Sequence, residues 1–252
     1  MTPTMKATGL HAGWNGVPVV RDFDLDAHAG EVHLLLGPNG AGKTTTLLTL
    51  AGDLPAIDGT VEIDGAAVKS ALHRRARQGV SLITEERSVF MGQSARDNLR
   101  VGRADVARAL ALFPELEPHL DRAAGLLSGG QQQMLTLARA LARPTRVLLA
   151  DELSLGLAPL VVGRLLDAVR GAADDGVAVV LVEQHVARAL AIADRVSVLV
   201  HGRLVMSGPA DELRSQPELL AQLYLAAGSA ARSDIPSNGS ADRDADRKGA
   251  TA

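Results

Sequence analysis

A glycine-rich octapeptide between an apolar run and a helical pattern constrains the fold of this chain most strongly. Residues 37–44 read Gly-Pro-Asn-Gly-Ala-Gly-Lys-Thr; they follow the apolar residues 32–36 and open a helix predicted over residues 43–51. Glycines let successive backbone N–H groups turn toward one point, and a helix N-terminus attracts anions to that point. Lys43 adds a cation and Thr44 a hydroxyl group that can bind a metal ion. The segment therefore predicts a phosphate-binding loop rather than an ordinary glycine-rich turn.

Apolar runs alternate with helical patterns along the rest of the chain, which predicts an α/β fold with a mostly parallel core sheet. Alternating apolar residues at 23–27, and Asp-Gly pairs on either side of residues 60–63, predict additional half-buried or antiparallel strands. His201 and Gly202 predict a hairpin turn. The apolar runs are residues 32–36, 80–83, 146–150, 177–182 and 196–200. The helical patterns are residues 43–51, 105–113, 131–142, 160–173 and 186–193.

Composition excludes several kinds of chemistry. The 252 residues include no cysteine, which rules out disulfides, thiolate metal sites and cysteine nucleophiles. A formal net charge of −3 and an aromatic content of 2% give no support for a nucleic-acid partner. The sequence contains neither an apolar stretch long enough to span a membrane nor a signal-peptide pattern. Work at a membrane would therefore require docking onto another protein.

The end of the chain differs in composition from the rest. Residues 228–252 contain one large apolar residue, Ile235, among serine, glycine, aspartate and arginine. Such a segment cannot bury enough apolar surface to offset its ordering entropy. We therefore expect a folded domain over residues 4–227 and a disordered C-terminal tail over residues 228–252.

Two carboxylates follow one of the apolar runs. Asp151 and Glu152 come directly after residues 147–150, and ligands of open α/β sheets bind at the carboxyl ends of strands. Asp151 is expected to hold Mg²⁺, and Glu152 to polarise an attacking water. The alternative for this pair alone is a solvated acidic turn at the end of a strand.

A third motif precedes the helix predicted over residues 131–142. Residues 127–133 read Leu-Ser-Gly-Gly-Gln-Gln-Gln, in which Ser128 is a plausible helix cap and the glycines leave backbone N–H groups open to an anion. Taken alone, the motif is also compatible with an ordinary glycine-containing helix start.

Together the three motifs, in their order and spacing, resemble the ATP-binding-cassette (ABC) ATPases. Residues 37–45 and 148–152 are similar to the Walker A and Walker B motifs of that family, and residues 127–131 to its signature sequence. The resemblance covers about residues 4–227. It implies a P-loop NTPase fold with an antiparallel β subdomain and a helical subdomain at about residues 88–143. It also implies ATP hydrolysis with Mg²⁺, with each ATP held between the Walker A of one subunit and the signature of another.

Several single residues outside the three motifs also resemble residues of that family. Trp14 stands where the family stacks an aromatic ring on adenine, although it could equally be a core anchor. Glu85 stands at the Gln-loop position, where its ligand chemistry would differ from that of glutamine, and Leu153 replaces the usual proline. The switch-histidine position falls on Gln184, with His185 one residue later.

One subfamily is especially similar at the loops around the site. Glutamate in the Gln loop, Ser-Leu-Gly-Leu-Ala-Pro at residues 154–159 and Val-Glu-Gln at residues 182–184 resemble importers of branched-chain amino acids and related hydrophobic amino acids or amides. The resemblance implies integral membrane permease subunits, a second ABC ATPase subunit and, indirectly, an extracytoplasmic solute-binding protein. It places the chain at the cytoplasmic face of the cell membrane. The alternatives are a soluble ATP-dependent dimeric switch and an exporter motor.

The candidate site residues fall into three sets. The catalytic candidates are Glu152, Gln184 and His185. The candidate Mg²⁺ ligands are Thr44, Asp151 and Glu85. The candidate nucleotide-binding residues are Trp14, Gly37, Pro38, Asn39, Gly40, Ala41, Gly42, Lys43, Thr44, Thr45, Glu85, Ser128, Gly129, Gly130 and Gln131.

Overall fold

The computed structural model describes residues 2–86, 88–215 and 218, so the tail predicted over residues 228–252 lies outside the described residues. The strands are β1 (Met5–Trp14), β2 (Val17–Ala27), β3 (Val32–Leu36), β4 (Asp58–Ile63), β5 (Ala66–Ala67), β6 (Val80–Ile83), β7 (Val147–Asp151), β8 (Ala178–Val182), β9 (Arg195–Val200) and β10 (Arg203–Pro209). The α-helices are α1 (Lys43–Ala51), α2 (Leu72–Arg77), α3 (Ala95–Val101), α4 (Val106–Leu112), α5 (Gly129–Leu141), α6 (Pro159–Asp174), α7 (Val186–Ile192) and α8 (Ala210–Ser215).

The core of the molecule is a six-stranded sheet in the order β10-β9-β3-β8-β7-β6. Strands β9, β3, β8, β7 and β6 are parallel to one another, and β10 pairs antiparallel with β9. Every residue of β3, β7 and β8 is buried, as expected for strands covered on both faces. The predicted α/β fold with a mostly parallel core sheet is confirmed, and so is the hairpin turn at residues 201–202.

A second, antiparallel sheet has the order β2-β1-β4-β5 and packs over α1. The sequence pattern did not reveal β1, although this strand has ten residues. Its buried residues change phase, from Met5 and Ala7 to Leu10 and Ala12, because the pairing with β2 shifts register between Ala7 and Leu10. A bulge of this kind breaks the period-two alternation on which strand prediction depends.

The segment between β6 and β7 carries the helices α3, α4 and α5, together with two short 3₁₀ helices at Pro114–His119 and Ala124–Leu126. Leu99, Phe113 and Leu135 are buried in the same apolar cluster as residues of β7 and β8. The helical subdomain expected at about residues 88–143 falls within this segment, and its boundaries stay a prediction.

A buried histidine lies in strand β3 of the core sheet. His33 on β3 is 2% exposed, and its Nε2 lies 2.8 Å from Ser197 Oγ on the neighbouring strand β9. Burial lowers the pKa of His33 from 6.5 to about 4, although the nearby Asp26 opposes the shift. The folded state therefore holds His33 neutral at pH values at which the unfolded chain binds a proton.

We expect the free energy of unfolding to fall as the pH drops from 6.5 toward 4. In this window the unfolded chain binds more protons than the folded one, so acid favours unfolding, by about 3 kcal/mol for the full shift. Urea unfolding between pH 7 and pH 4.5 measures this dependence. His33→Gln keeps a polar partner for Ser197 but does not titrate, so its stability should change less over the same range. Equal pH slopes for the wild type and His33→Gln would contradict the assignment.

Candidate functional site

The phosphate loop is shaped by a glycine at the start of α1. Gly42 caps the helix with φ of 101°, and a Cβ atom there would lie 2.4 Å from Val20 Cγ2. A side chain at this position would therefore be both strained and obstructed. The loop runs from the end of β3 into α1, as the sequence predicts, and directs the N-terminus of α1 toward the space in front of it.

Lys43 lies folded against this loop. Its Nζ donates hydrogen bonds to the carbonyl oxygens of Gly37 (2.8 Å) and Pro38 (3.1 Å). Burial lowers the pKa of Lys43, while the charges of Glu152 and Asp151 oppose the shift. The two carboxylates thus favour the charged ammonium form beside the loop.

An open pocket of about 440 Å³ lies in front of the loop. The carboxyl ends of the parallel strands β3, β6, β7 and β8 meet at one edge of the sheet, and their following loops supply most of its wall. The lining residues are Trp14, Val19, Asn39, Gly40, Gly42, Lys43, Thr44, Thr45, Glu85, Glu152 and Gln184. The structure therefore brings ten of the sequence-predicted residues to one cavity, whereas Val19 had no sequence signal because it enters from the hairpin of β1 and β2.

Trp14 lies at the rim of this pocket. It ends β1 at the turn into β2 and is 51% exposed, so it is not a core anchor. An exposed indole ring beside a phosphate-binding loop can present its face to a planar base.

Replacing Trp14 with alanine should weaken ATP binding by about 5- to 150-fold, because stacking of a base on an aromatic ring is worth about 1–3 kcal/mol. Trp14→Phe should keep much of that affinity. Calorimetric titration with ATP measures the loss. Inorganic tripolyphosphate is the control ligand, since it has no base and should bind both variants equally. An unchanged ATP affinity in Trp14→Ala would remove Trp14 from the binding site.

Asp151 has the properties of a metal ligand next to the phosphate loop. It ends β7 and is 2% exposed, and its Oδ1 has no hydrogen-bond partner within the part of the chain that the structure describes. Burial raises the pKa of Asp151, and a hydrogen bond from the Thr44 hydroxyl opposes that shift. An unpartnered buried carboxylate oxygen beside a hydroxyl group fits a hard cation such as Mg²⁺.

The protein groups alone do not form a complete metal site. Residues 2–86, 88–215 and 218 contain no cluster of three or more histidine, aspartate or glutamate side chains that could hold a metal ion. Mg²⁺ commonly takes one or two protein ligands and completes its shell with phosphate oxygens and waters. The arrangement of Thr44 and Asp151, with Glu85 on the pocket wall, fits that mode of binding.

Glu152 and Gln184 meet across the pocket wall. Gln184 Nε2 donates a hydrogen bond of 2.8 Å to Glu152 Oε2. Glu152 has φ of 50°, which places its backbone in the left-handed region. His185, directly before α7, is exposed and is not among the residues that line the pocket. Of the two switch candidates, the structure brings Gln184 to the carboxylate.

The signature residues lie outside the pocket, at the start of α5. Ser128 caps α5: its Oγ accepts from the Gln131 backbone N–H at 3.3 Å, and its own N–H donates to Gln131 Oε1 at 2.9 Å. This reciprocal cap starts α5 at Gly129, two residues before the predicted start. None of Ser128, Gly129, Gly130 and Gln131 is among the described residues that line the pocket. Within one chain, the phosphate loop and the signature do not form a common site.

Comparison with known proteins decides the family. A family profile described as "ABC transporter" matches residues 20–154, more than half of the chain. The chain belongs to the ABC transporter family. Members of this family bind and hydrolyse ATP, so the pocket belongs to an ABC ATPase.

Several named proteins align with most of the chain. It is 34% identical over 213 residues to the high-affinity branched-chain amino acid transport ATP-binding protein BraG of Pseudomonas aeruginosa, which covers 81% of this chain and 91% of that protein. It is 34% identical to the probable branched-chain amino acid transport ATP-binding protein LivF of Archaeoglobus fulgidus, covering 83% and 93%. It is 32% identical to the lipopolysaccharide export system ATP-binding protein LptB of Escherichia coli, covering 88% and 97%.

Solved structures share the fold. An ATP-binding cassette of an ABC transporter in its ADP conformation superposes with a TM-score of 0.79 at 20% identity, covering 89% of this chain and 99% of that one. This likeness confirms the predicted ABC ATPase fold. Among the helices that the structure describes, none is long and apolar enough to cross a membrane.

Proposed function

We propose that this chain is the ATP-hydrolysing subunit of an ABC importer for branched-chain amino acids or related amino acids and amides. The observation that carries the proposal is the single pocket that joins the phosphate loop, Trp14, Glu152 and Gln184. The aromatic ring suits the adenine and the cationic loop suits the phosphates. The carboxylate suits the water that attacks in ATP hydrolysis.

In this proposal ATP lies along the pocket from Trp14 to Glu152. The backbone N–H groups of residues 37–45 and the Lys43 ammonium hold the phosphates, and Thr44 and Asp151, with Glu85 nearby, hold Mg²⁺. When bound there, Mg²⁺ would neutralise negative charge on the phosphates. Glu152 accepts the proton of the attacking water, and the hydrogen bond from Gln184 orients its carboxylate.

A second ATPase subunit completes the site. Among the residues that the structure describes, Ser128, Gly129, Gly130 and Gln131 do not line the pocket in front of the phosphate loop. They are therefore available to the γ-phosphate of ATP held by a partner. The N-terminus of α5 offers backbone N–H groups for that contact. The partner is a second copy of this chain or a related ABC ATPase.

The substrate class rests on the relatives and on three loop motifs. BraG and LivF are named for branched-chain amino acid transport. Glu85, residues 154–159 and residues 182–184 resemble that importer group in sequence, and all three segments adjoin Glu152 or the pocket wall. The solute itself would bind to permease subunits in the membrane and reach them from an extracytoplasmic binding protein. The chain would sit at the cytoplasmic face of the membrane, docked on those permeases.

Export is the second candidate, because the chain is also 32% identical to LptB over 88% of its length. An exporter motor would use the same pocket and the same hydrolysis, with a different membrane partner. The ATP site therefore does not separate the two directions of transport, and the test must follow the transported molecule.

Uptake by cells that naturally produce the chain tests the proposal. Replacing the chromosomal copy with Glu152→Gln should abolish uptake of radiolabelled leucine, isoleucine and valine, whereas Glu117→Gln, a change at an exposed site, should not. Unchanged leucine uptake in Glu152→Gln would refute the importer proposal. Accumulation of an envelope lipid or glycolipid inside the same cells would instead support export.

A further inference from the structure

A buried carboxylate lies directly before the proposed switch residue. Glu183 follows β8 and is 3% exposed, and it is not among the residues that line the pocket. Its Oε1 accepts the backbone N–H of Ser154 at 3.1 Å, and its Oε2 accepts the Ser154 hydroxyl. Ser154 is itself 2% exposed. Both oxygens of a carboxylate removed from water are thus bonded to one residue of the neighbouring loop.

This arrangement is costly unless the two hydrogen bonds are kept. Burial raises the pKa of Glu183, and the bonds from the Ser154 side chain and backbone oppose that shift. A buried carboxyl group that loses its partners leaves unsatisfied polar atoms in the interior. The contact between Glu183 and Ser154 therefore fixes the position of the loop after β7 relative to the loop after β8.

The backbone of Glu152 needs such support. Its φ of 50° is a left-handed conformation that costs a non-glycine residue about 1–2 kcal/mol. Residues in such conformations persist only where the flanking structure fixes them. On one side, the Glu152 N–H donates to the Val182 carbonyl oxygen at 2.9 Å and continues the pairing of β7 with β8. On the other side, Leu153 packs into the apolar core, and Ser154 is hydrogen-bonded to Glu183.

Two side-chain bridges thus join the loop after β7 to the loop after β8. One runs in the pocket wall, from Glu152 to Gln184, and the other is buried, from Ser154 to Glu183. The buried bridge lies one residue from Gln184 and two from Glu152. A shift of Glu183 would therefore move both residues that line the pocket.

We propose that Glu183 is a positioning residue for ATP hydrolysis, whose buried carboxylate clamps Ser154 and so fixes Glu152 and Gln184 at the distance seen here. This inference rests on the proposed ATP hydrolysis and assigns Glu183 no contact with the nucleotide. Loss of the clamp should lower kcat and leave ATP binding in place, because the phosphate loop and Trp14 lie on other segments of the chain.

Three variants of the full chain test the clamp. Glu183→Ala should lower kcat by about 10- to 100-fold, since a small misplacement of a catalytic group has effects of that size. Its KM for ATP, and ATP binding followed by fluorescence of Trp14, should stay within about twofold of the wild type. Glu183→Gln should keep most of kcat, because its amide oxygen can accept the Ser154 N–H and its amide nitrogen can donate to the hydroxyl. Ser154→Ala should lower kcat to an intermediate level.

The combined variant separates a clamp from two independent effects. Glu183→Ala with Ser154→Ala should be no slower than Glu183→Ala alone, since Glu183→Ala already removes both bonds to Ser154, including the hydroxyl bond that Ser154→Ala removes. Ser197→Ala removes another buried hydroxyl, hydrogen-bonded to His33 far along the chain, and should leave kcat unchanged. If Glu183→Ala does not fold, Ser154→Ala decides the question in its place.

Several results would overturn the inference. Wild-type kcat in Glu183→Ala, or in Ser154→Ala where the first variant does not fold, would show that the contact does not position the site. Equal losses in Glu183→Gln and Glu183→Ala would show that charge, and not the clamp, matters. Absence of hydrolysis by the wild type assembled with its partner ATPase and permease would refute the proposed function, whereas hydrolysis at the wild-type rate in Glu183→Ala would refute only this inference.

Discussion

Replacing Glu152 with glutamine lowers kcat for ATP hydrolysis by about 10²- to 10⁴-fold, the usual contribution of a general base. This corresponds to an increase of about 3–5 kcal/mol in the activation barrier. The glutamine side chain has nearly the same size and can still accept the bond that Gln184 Nε2 now donates to Glu152 Oε2. ATP affinity should therefore remain within about twofold. Release of inorganic phosphate under saturating ATP measures the rate, and Glu117→Gln is the control for loss of an exposed carboxylate.

The same variant also reports on the second subunit. With hydrolysis blocked, ATP should stay bound, so the mass of Glu152→Gln in solution should change from monomer to dimer when Mg²⁺ and ATP are added. Binding of ATP without dimer formation would indicate that a different ATPase or the permease is needed. Turnover at the wild-type rate would remove Glu152 from the role of general base.

Replacing Lys43 with alanine should weaken the binding of ATP and ADP. The Lys43 ammonium lies within the phosphate loop, and hydrogen bonds to charged groups are worth about 1.5–3 kcal/mol each. ATP and ADP should therefore bind about 10- to 150-fold more weakly, or more where several phosphate oxygens lose the same partner. Calorimetric titration measures both affinities.

Two controls make the Lys43 result specific. Adenosine has no phosphate, so its affinity should be the same for Lys43→Ala and for the wild type. Lys69→Ala removes an exposed lysine outside the pocket and should leave ATP binding unchanged. Because Lys43 also bonds to the loop carbonyls, the melting temperature of the variant should be compared with the wild type. ATP affinity equal to that of the wild type would contradict the role assigned to Lys43.

Much of the site could be predicted because its chemistry is local in the sequence. The glycines, Lys43 and Thr44 of the phosphate loop lie in one octapeptide, and the loop geometry follows from their side chains and from the helix that begins at Lys43. Asp151 and Glu152 directly follow an apolar strand, and the carboxyl ends of parallel strands share one edge of the sheet. Ser128 and Gln131 form a reciprocal helix cap whose residue types and spacing are visible in the chain.

Other features depend on residues that meet only in the folded molecule. Strand β1 escaped prediction because its register shift interrupts the alternation of apolar residues. The nearby Gly13 and Gly16 favoured a polar loop around Trp14, and the structure shows that Trp14 is 51% exposed at the hairpin turn that ends β1. The choice between Gln184 and His185 also required the tertiary structure, because adjacent residues of one loop have the same sequence context and only one of them reaches Glu152.

The sequence alone determined the fold class, the phosphate loop and the acidic strand end, since each depends on periodicity or on neighbouring residues along the chain. Only the tertiary structure decided which groups share the pocket, which of Gln184 and His185 reaches Glu152, and that Glu183 bonds to Ser154. These facts are distances between segments far apart in sequence. Such distances are set by the pairing of β7 with β8 and by the packing of the helices between β6 and β7, not by the composition of any one segment.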